Sequence, residues 1–160
     1  MRFLIAAVGK LKQGAERELC AHYLARAEAL GRSLSLSPLA SIELAESRAA
    51  TDNARKTAEA EALLAKVPAA HALVCLDPRG KMLSSEELAG ALADFRDGGT
   101  AGLAILIGGA DGLGQTAREK ADLLLSLGPM TLPHGLARIV LAEQLYRAMT
   151  ILAGHPYHRA

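Results

Sequence analysis

Short unbroken apolar runs alternate along this chain with longer stretches whose apolar residues recur every three or four positions. The runs occupy 3–8, 72–76, 103–107 and 123–125. A run of this kind, unrelieved by polar residues, reads as a strand buried on both faces. The spaced stretches read as helices. Leu19, Tyr23, Leu24, Ala27 and Leu30 share one helical face over 15–30, and Gly31 supplies a stop. Thr51 and Asp52 offer caps for a helix running through Ala65. Ser84 and Glu87 form a capping box for another, which ends at Gly98-Gly99. A short helix follows residue 114, and a long one spans His134 to about Ala153. A weaker strand is expected around 34–44, where Leu34 and Leu36 alternate with serines and Pro38 interrupts.

Strand and helix alternate throughout, without internal repeat, low-complexity segment or linker. The pattern predicts a single α/β domain over 1–160, built around a mostly parallel sheet. Ligands in such sheets bind beyond the carboxyl ends of the strands. Three loops leave three consecutive apolar strands, at 77–81, 108–114 and 127–133, and they are the first candidates for a site.

Composition narrows the picture. Half of the 160 residues are apolar, enough for a real core, yet aromatics are scarce and tryptophan is absent. The net charge of +1 excludes a generally basic nucleic-acid binder but leaves room for a local positive patch. Cys20 and Cys75 are too few for a disulfide framework and read as two reduced, buried thiols. No metal ligand set is expected. The apolar start of the chain is too short for a signal peptide or a membrane span, so a cytoplasmic protein is expected.

The glycine loop needs care. Gly112-Leu113-Gly114-Gln115-Thr116-Ala117 matches the dinucleotide pattern G-x-G-x-x-A, follows a strand and opens a helix. It lies late in the chain, however, and no acidic residue ends a strand about twenty positions on to hold a ribose. A dinucleotide-dependent oxidoreductase therefore stands as an alternative. Gly9 to Gly14 has phosphate-loop spacing but lacks the Lys-Ser/Thr that should follow. The loop 127–133 is different in kind: it has few charges and many backbone groups between two prolines, suited to a neutral heterocycle.

In the long last helix Leu141, Leu145, Met149 and Leu152 form one stripe, widened near its start by Leu136, Ile139 and Val140. Coverage this broad fits either a central core helix or a subunit interface. Glu143 and Arg147 are spaced to pair on its surface. Beyond it comes the ending "HPYHRA". Residues 130–160 hold three arginines and three histidines against one glutamate, a local positive end on a nearly neutral chain.

The segments "LIGGADGLG", "MTLPHGLARIVLAEQLYRA" and the terminal "YHR", together with "CLDPRGK" and the start "FLIAAVGK", resemble the RlmH-type ribosomal RNA methyltransferases of the SPOUT superfamily. The resemblance covers nearly the whole chain. It implies an α/β domain whose C-terminal part forms a trefoil knot, a homodimer, and S-adenosyl-L-methionine as cofactor. It implies methylation of N3 of a pseudouridine in the helix 69 loop of 23S rRNA, on the assembled ribosome, with no DNA or membrane partner. Cofactor contacts of the family fall here on Leu76, on Gly108, and on Leu127, Gly128, Pro129, Met130, Thr131 and Leu132. The family often carries Ser where this chain has Gly128, so a hydroxyl contact there would be replaced by backbone.

The implied chemistry sets further requirements. A ring N–H flanked by two carbonyls must lose its proton, leaving negative charge on the ring, so a proton acceptor and nearby cations are needed. His158 is the expected proton acceptor or substrate orienter, with Arg138 and Arg147 stabilising charge. Tyr157 could stack on a base and Arg159 bind a phosphate. His134 reads either as another candidate or as a helix N-cap partner. A non-catalytic ribosome-binding factor of the same fold is the remaining alternative.

Overall fold

In the computed structural model, which describes residues 1–159, ten main elements follow one another. They are β1 (Arg2–Val8), α1 (Ala15–Gly31), β2 (Leu39–Leu44), α2 (Asp52–Leu64), β3 (His71–Met82), α3 (Ser85–Asp97), β4 (Gly102–Ile107), α4 (Gln115–Glu119), β5 (Leu123–Ser126) and α5 (His134–Leu152). The five strands form one parallel sheet in the order β2-β1-β4-β3-β5. Alternate residues of β1 enter two different cores. Phe3, Ile5 and Ala7 pack with Leu92, Leu141, Leu145 and Met149 from α3 and α5. Ala6 and Val8 pack with Ala60 and Leu63 of α2 and with Ala117 of α4. Both faces are covered by helices, which is why the inner strands carry no polar alternation, while the edge strand β2, with Ser41 and Glu43, does.

The predicted elements form, with informative differences. Thr51 caps α2 through Ala54 N–H, and the Ser84–Glu87 capping box opens α3. Gly31 ends the α-helix as expected, but it is right-handed and buried, and a side chain there would strike the Leu36 carbonyl. The chain continues from it through a 3-10 turn (Arg32–Leu34) to a left-handed Ser35 with φ of 58°. Residues 34–36 therefore do not join the sheet, and β2 begins only after Pro38.

The loop expected at 77–81 is also partly strand. β3 leaves its ladder after Leu76 and rejoins β5 at Lys81 opposite Leu125. Gly80 permits the return: a Cβ there would sit 2.6 Å from the Leu124 carbonyl carbon. Both cysteines are buried and free. Burial pushes the Cys75 thiol up to about 12, with Asp77 adding to the effect, so it is an inert core group.

Candidate active site

β3, β4 and β5 end side by side, and their loops surround a cleft of about 420 Å³. That size falls within the range of small-molecule sites, roughly 300–1,000 Å³. Leu76 and Pro78 form one wall, Gly108 to Ala110 a second, and Leu127 to Pro133 the third, with His134 and Ala137 of α5 at its edge. Leu76, Gly108, Leu127, Gly128, Pro129, Met130, Thr131 and Leu132 all line this one cleft.

Two glycines shape it. A Cβ at Gly108 would lie 2.6 Å from the Gly112 carbonyl carbon, so the turn in which Gly112 N–H donates to the Gly109 carbonyl closes only over a bare Cα. Gly128 has φ of 117°, which a serine would hold only under strain. Its N–H donates to Ser126 Oγ at 3.2 Å, and that hydroxyl in turn lies 3.3 Å from the Pro78 carbonyl. Ser126 thus ties two walls together. Among the described residues, the backbone N–H groups of Met130, Thr131 and Leu132 have no protein partner, leaving main-chain donors free for a bound heterocycle.

Two buried carboxylates brace the walls from behind. Asp77 accepts the Arg79 N–H at 2.8 Å and meets Arg118 Nε at 2.5 Å, a charge contact without an aligned N–H. Glu59, 6% exposed, accepts the Ser47 N–H at 2.9 Å and presses its other oxygen toward Gly109. Sequence reasoning missed Glu59. The available signal was a charged residue beside Ala60 and Leu63 on the buried stripe of α2.

The dinucleotide reading of the glycine loop fails on packing. Gly114 is bare because α2 crosses it at the Lys56 carbonyl, Ala117 is a core residue, and α4 has only five residues. These small residues serve contact between helices.

His134 opens α5 but caps nothing; Pro133 is the N-cap residue. Its Nε2 is buried against Gly9 without a partner. Burial, and then the charge of Arg138, lower its pKa, with Glu46, Glu43 and Glu16 opposing. A histidine whose folded pKa is depressed contributes stability present above the unfolded value near 6.5 and lost as pH falls below it. The thermal midpoint should therefore drop as pH falls below about 6.5, and His134→Gln should flatten that drop, as scanning calorimetry over an acid pH series will show.

Arg138 lies outside the cleft. It is 6% exposed, donates to the Val8 and Gly9 carbonyls, and pairs with Glu43 at 3.2 Å. The remaining predicted residues gather farther down α5. Glu143 Oε1 accepts from Arg147 Nη2 at 2.6 Å and from the Tyr157 hydroxyl at 3.0 Å. The Tyr157 ring packs tilted at 57° against Tyr146, 4.7 Å between ring centroids, with the Arg147 guanidinium 4.9 Å from its own. Burial, and hydrogen bonds with Tyr23 and Glu143, keep the Tyr157 phenol protonated, well above its usual range. His158 places Nε2 2.8 Å from Glu86 Oε1 and Nδ1 3.5 Å from Arg147 Nη1. The tail is tied down. Glu143, expected as half of a surface pair, is the hub that holds it. Glu143→Leu should free the tail, seen as a new cleavage site after residue 153 in limited proteolysis while the body of the protein stays resistant.

Arg147 follows His134 by thirteen residues, about 20 Å along the helix at 1.5 Å per residue. Within one chain the tail cluster and the cleft are therefore separate.

Comparison with known proteins decides the family. Residues 1–158 match the model described as "Predicted SPOUT methyltransferase". The chain belongs to the SPOUT methyltransferase family. The ribosomal RNA large subunit methyltransferase H of Xanthobacter autotrophicus is 53% identical over 160 residues, covering 100% of each chain. That of Rhodopseudomonas palustris (strain ATCC BAA-98 / CGA009) is also 53% identical over 160 residues with full coverage of both. The Methylobacterium sp. protein of the same name is 52% identical over 159 residues, covering 99% of this chain and 98% of its own. Membership excludes the oxidoreductase alternative. No helix among the described residues is long and apolar enough to cross a membrane.

Proposed function

We propose that this SPOUT methyltransferase transfers the methyl group of S-adenosyl-L-methionine to 23S rRNA, at N3 of a pseudouridine in the helix 69 loop of the assembled ribosome. The observation that carries the reading is the gathering of all eight expected cofactor residues, from three separate loops, around one cleft. The cleft fits the cofactor: apolar walls for an adenine ring, unpaired backbone N–H groups for its edge, and a bare Cα at Gly108 for close approach. Leu76, Gly108 and residues 127–132 would hold it, the last by main-chain contact.

When bound, the cofactor supplies an electrophilic methyl group on a sulfonium, so the protein's task is positioning and charge. The reacting nitrogen forms its bond to the methyl carbon as the sulfur–carbon bond breaks, and its proton passes to a histidine nitrogen, here assigned to His158. Arg147 stabilises the negative charge spread over the flanking carbonyls. Tyr157 stacks on the base and Arg159 meets a phosphate. Because the tail lies far from the cleft of its own chain, a second copy must bring it. The reading is therefore a homodimer in which each tail completes the other's cleft. Leu19 of α1 and Leu136 of α5, each 44% exposed on two helices that pack together, offer an apolar face for that contact. Arg138 fixes the start of α5 against the end of β1, setting the angle at which α5 leaves the cleft. The trefoil knot that the family resemblance implies for the C-terminal part belongs to the same reading, within a single domain. Ribosomes as substrate place the enzyme in the cytoplasm.

The test is methyl incorporation from labelled S-adenosylmethionine into ribosomes that lack the modification, with mapping of the methylated base. Stabilisation by S-adenosylmethionine without any incorporation would favour the non-catalytic ribosome-binding factor.

A further inference from the structure

The methyl-transfer reading makes no use of the Glu59 carboxylate. Glu59 sits on the buried face of α2 beside Ala60 and Leu63, 6% exposed. Its Oε1 accepts the Ser47 N–H at 2.9 Å, while Oε2 is sealed from solvent without a hydrogen-bond partner. Among the described residues it forms no ion pair: the guanidinium one turn earlier in α2, that of Arg55, is turned to Asp52 and Asp111. A buried carboxylate oxygen left bare is costly, so its position calls for a reason.

That bare oxygen faces the glycine wall of the cleft. A Cβ on Gly109 would lie 2.8 Å from Oε2 and 3.4 Å from the carboxyl carbon. Gly108 and Gly109 carry no side chains, so one layer of backbone separates the Glu59 charge from the cleft that both glycines line. The other ionisable groups on the cleft walls are Asp77 and His134. Asp77 accepts the Arg79 N–H and meets Arg118, and both guanidiniums line a neighbouring groove, outside the cleft. His134 is neutral at neutral pH, because burial and then the charge of Arg138 lower its pKa. Among the described residues no cation lines the cleft. Carboxylates in and behind its walls favour a positively charged ligand, and a buried charge is screened far less than an exposed one.

We propose that Glu59 makes the cleft selective for charge: across the bare backbone of Gly108 and Gly109, its carboxylate stabilises a cationic centre on the bound ligand. The inference rests on the reading that S-adenosyl-L-methionine occupies the cleft. When the methyl group leaves, the electron pair of its bond stays on sulfur and the sulfonium becomes a neutral thioether. The charge that Glu59 favours is therefore lost in the reaction, and the product is held more weakly than the cofactor. Glu59 touches neither molecule; it is a specificity-determining group that acts through the wall.

Calorimetric titration of the full chain with three ligands tests it. They are S-adenosylmethionine, its neutral thioether S-adenosylhomocysteine, and sinefungin, which carries an amine, protonated at neutral pH, in place of the sulfonium. All three share the adenosine and amino-acid ends. The wild-type protein should bind both cations at least about tenfold more tightly than the thioether. Glu59→Gln keeps an acceptor for the Ser47 N–H; it should weaken both cations about tenfold and leave the thioether unchanged within about twofold. Glu59→Asp keeps the charge, and should keep the wild-type ratio of cation to thioether affinity even where overall affinity falls. A carboxylate that only braced the loop would give equal losses for all three ligands in Glu59→Gln. That outcome, or equal affinity of the wild-type protein for thioether and cations, which needs no folded variant, would overturn the proposal and leave the cofactor reading intact. Failure of the wild-type protein to bind any of the three would overturn the cofactor reading and this proposal with it.

Discussion

Two inactive variants of this protein, co-expressed, are expected to regain activity. His158→Ala removes the proton acceptor assigned to the tail and should lower methyl transfer by about 10²–10⁴-fold, the usual contribution of a positioned acid or base. Gly108→Val disables the cofactor cleft of the chain that carries it. If each cleft is completed by the other subunit's tail, a mixed dimer contains one site with an intact cleft and an intact His158. Random pairing makes half of the dimers mixed, with one working site of two, so roughly a quarter of wild-type activity should return. The reason lies in the single-chain geometry. Tyr157, His158 and Arg147 are gathered about 20 Å down α5 from the cleft edge, and bonds to Glu143 and Glu86 hold them there. Both ring nitrogens of His158 already have partners within its own chain, so accepting a substrate proton requires an exchange of contacts at the partner's site. No recovery in the mixed dimer would place the tail's role in its own chain; near-normal turnover of His158→Ala alone would remove that role.

Gly108→Val by itself should weaken S-adenosylmethionine binding by at least about a hundredfold, close to 3 kcal/mol. The Cβ would meet backbone, the Gly112 carbonyl carbon at 2.6 Å, which cannot rotate away as a side chain can. The wall from Gly108 to Gly112 must then open, and one side of the cleft moves with it. Gly112→Ala is the matched control. Gly112 has φ of 90° and open space around its Cα, so alanine there brings conformational strain of about 1 kcal/mol without a clash. Calorimetric titration of both variants, with circular dichroism to confirm the fold, separates the two effects. Affinity retained within a few-fold in Gly108→Val would show that the glycine loop is not a wall of the cofactor site.

Much of the cleft was legible in the residues themselves. Unbroken apolar runs mark strands buried on two faces, and parallel strands present their ligand loops at one end, so pattern alone singles out 77–81, 108–114 and 127–133. The site around the tail was legible only in part. The Tyr-His-Arg ending announces chemistry, but periodicity contains no information on where a tail folds once its helix ends.

What the sequence by itself determined is local or periodic: the strands of both cores, the cap of α2, the capping box of α3, the three loops and the family motifs within them. These follow from side-chain alternation and from hydrogen bonds within four residues. What only the tertiary structure decided depends on distances between elements far apart in the chain. Gly31, where α1 ends, is glycine because the Leu36 carbonyl packs against its Cα. Gly114 and Ala117 let α4 lie against α2, and hold no pyrophosphate. Arg138 is spent on the carbonyls of Val8 and Gly9, and Glu143 anchors the tail. A guanidinium or a carboxylate takes whatever partner packing brings within about 3 Å, and that choice is made by the fold.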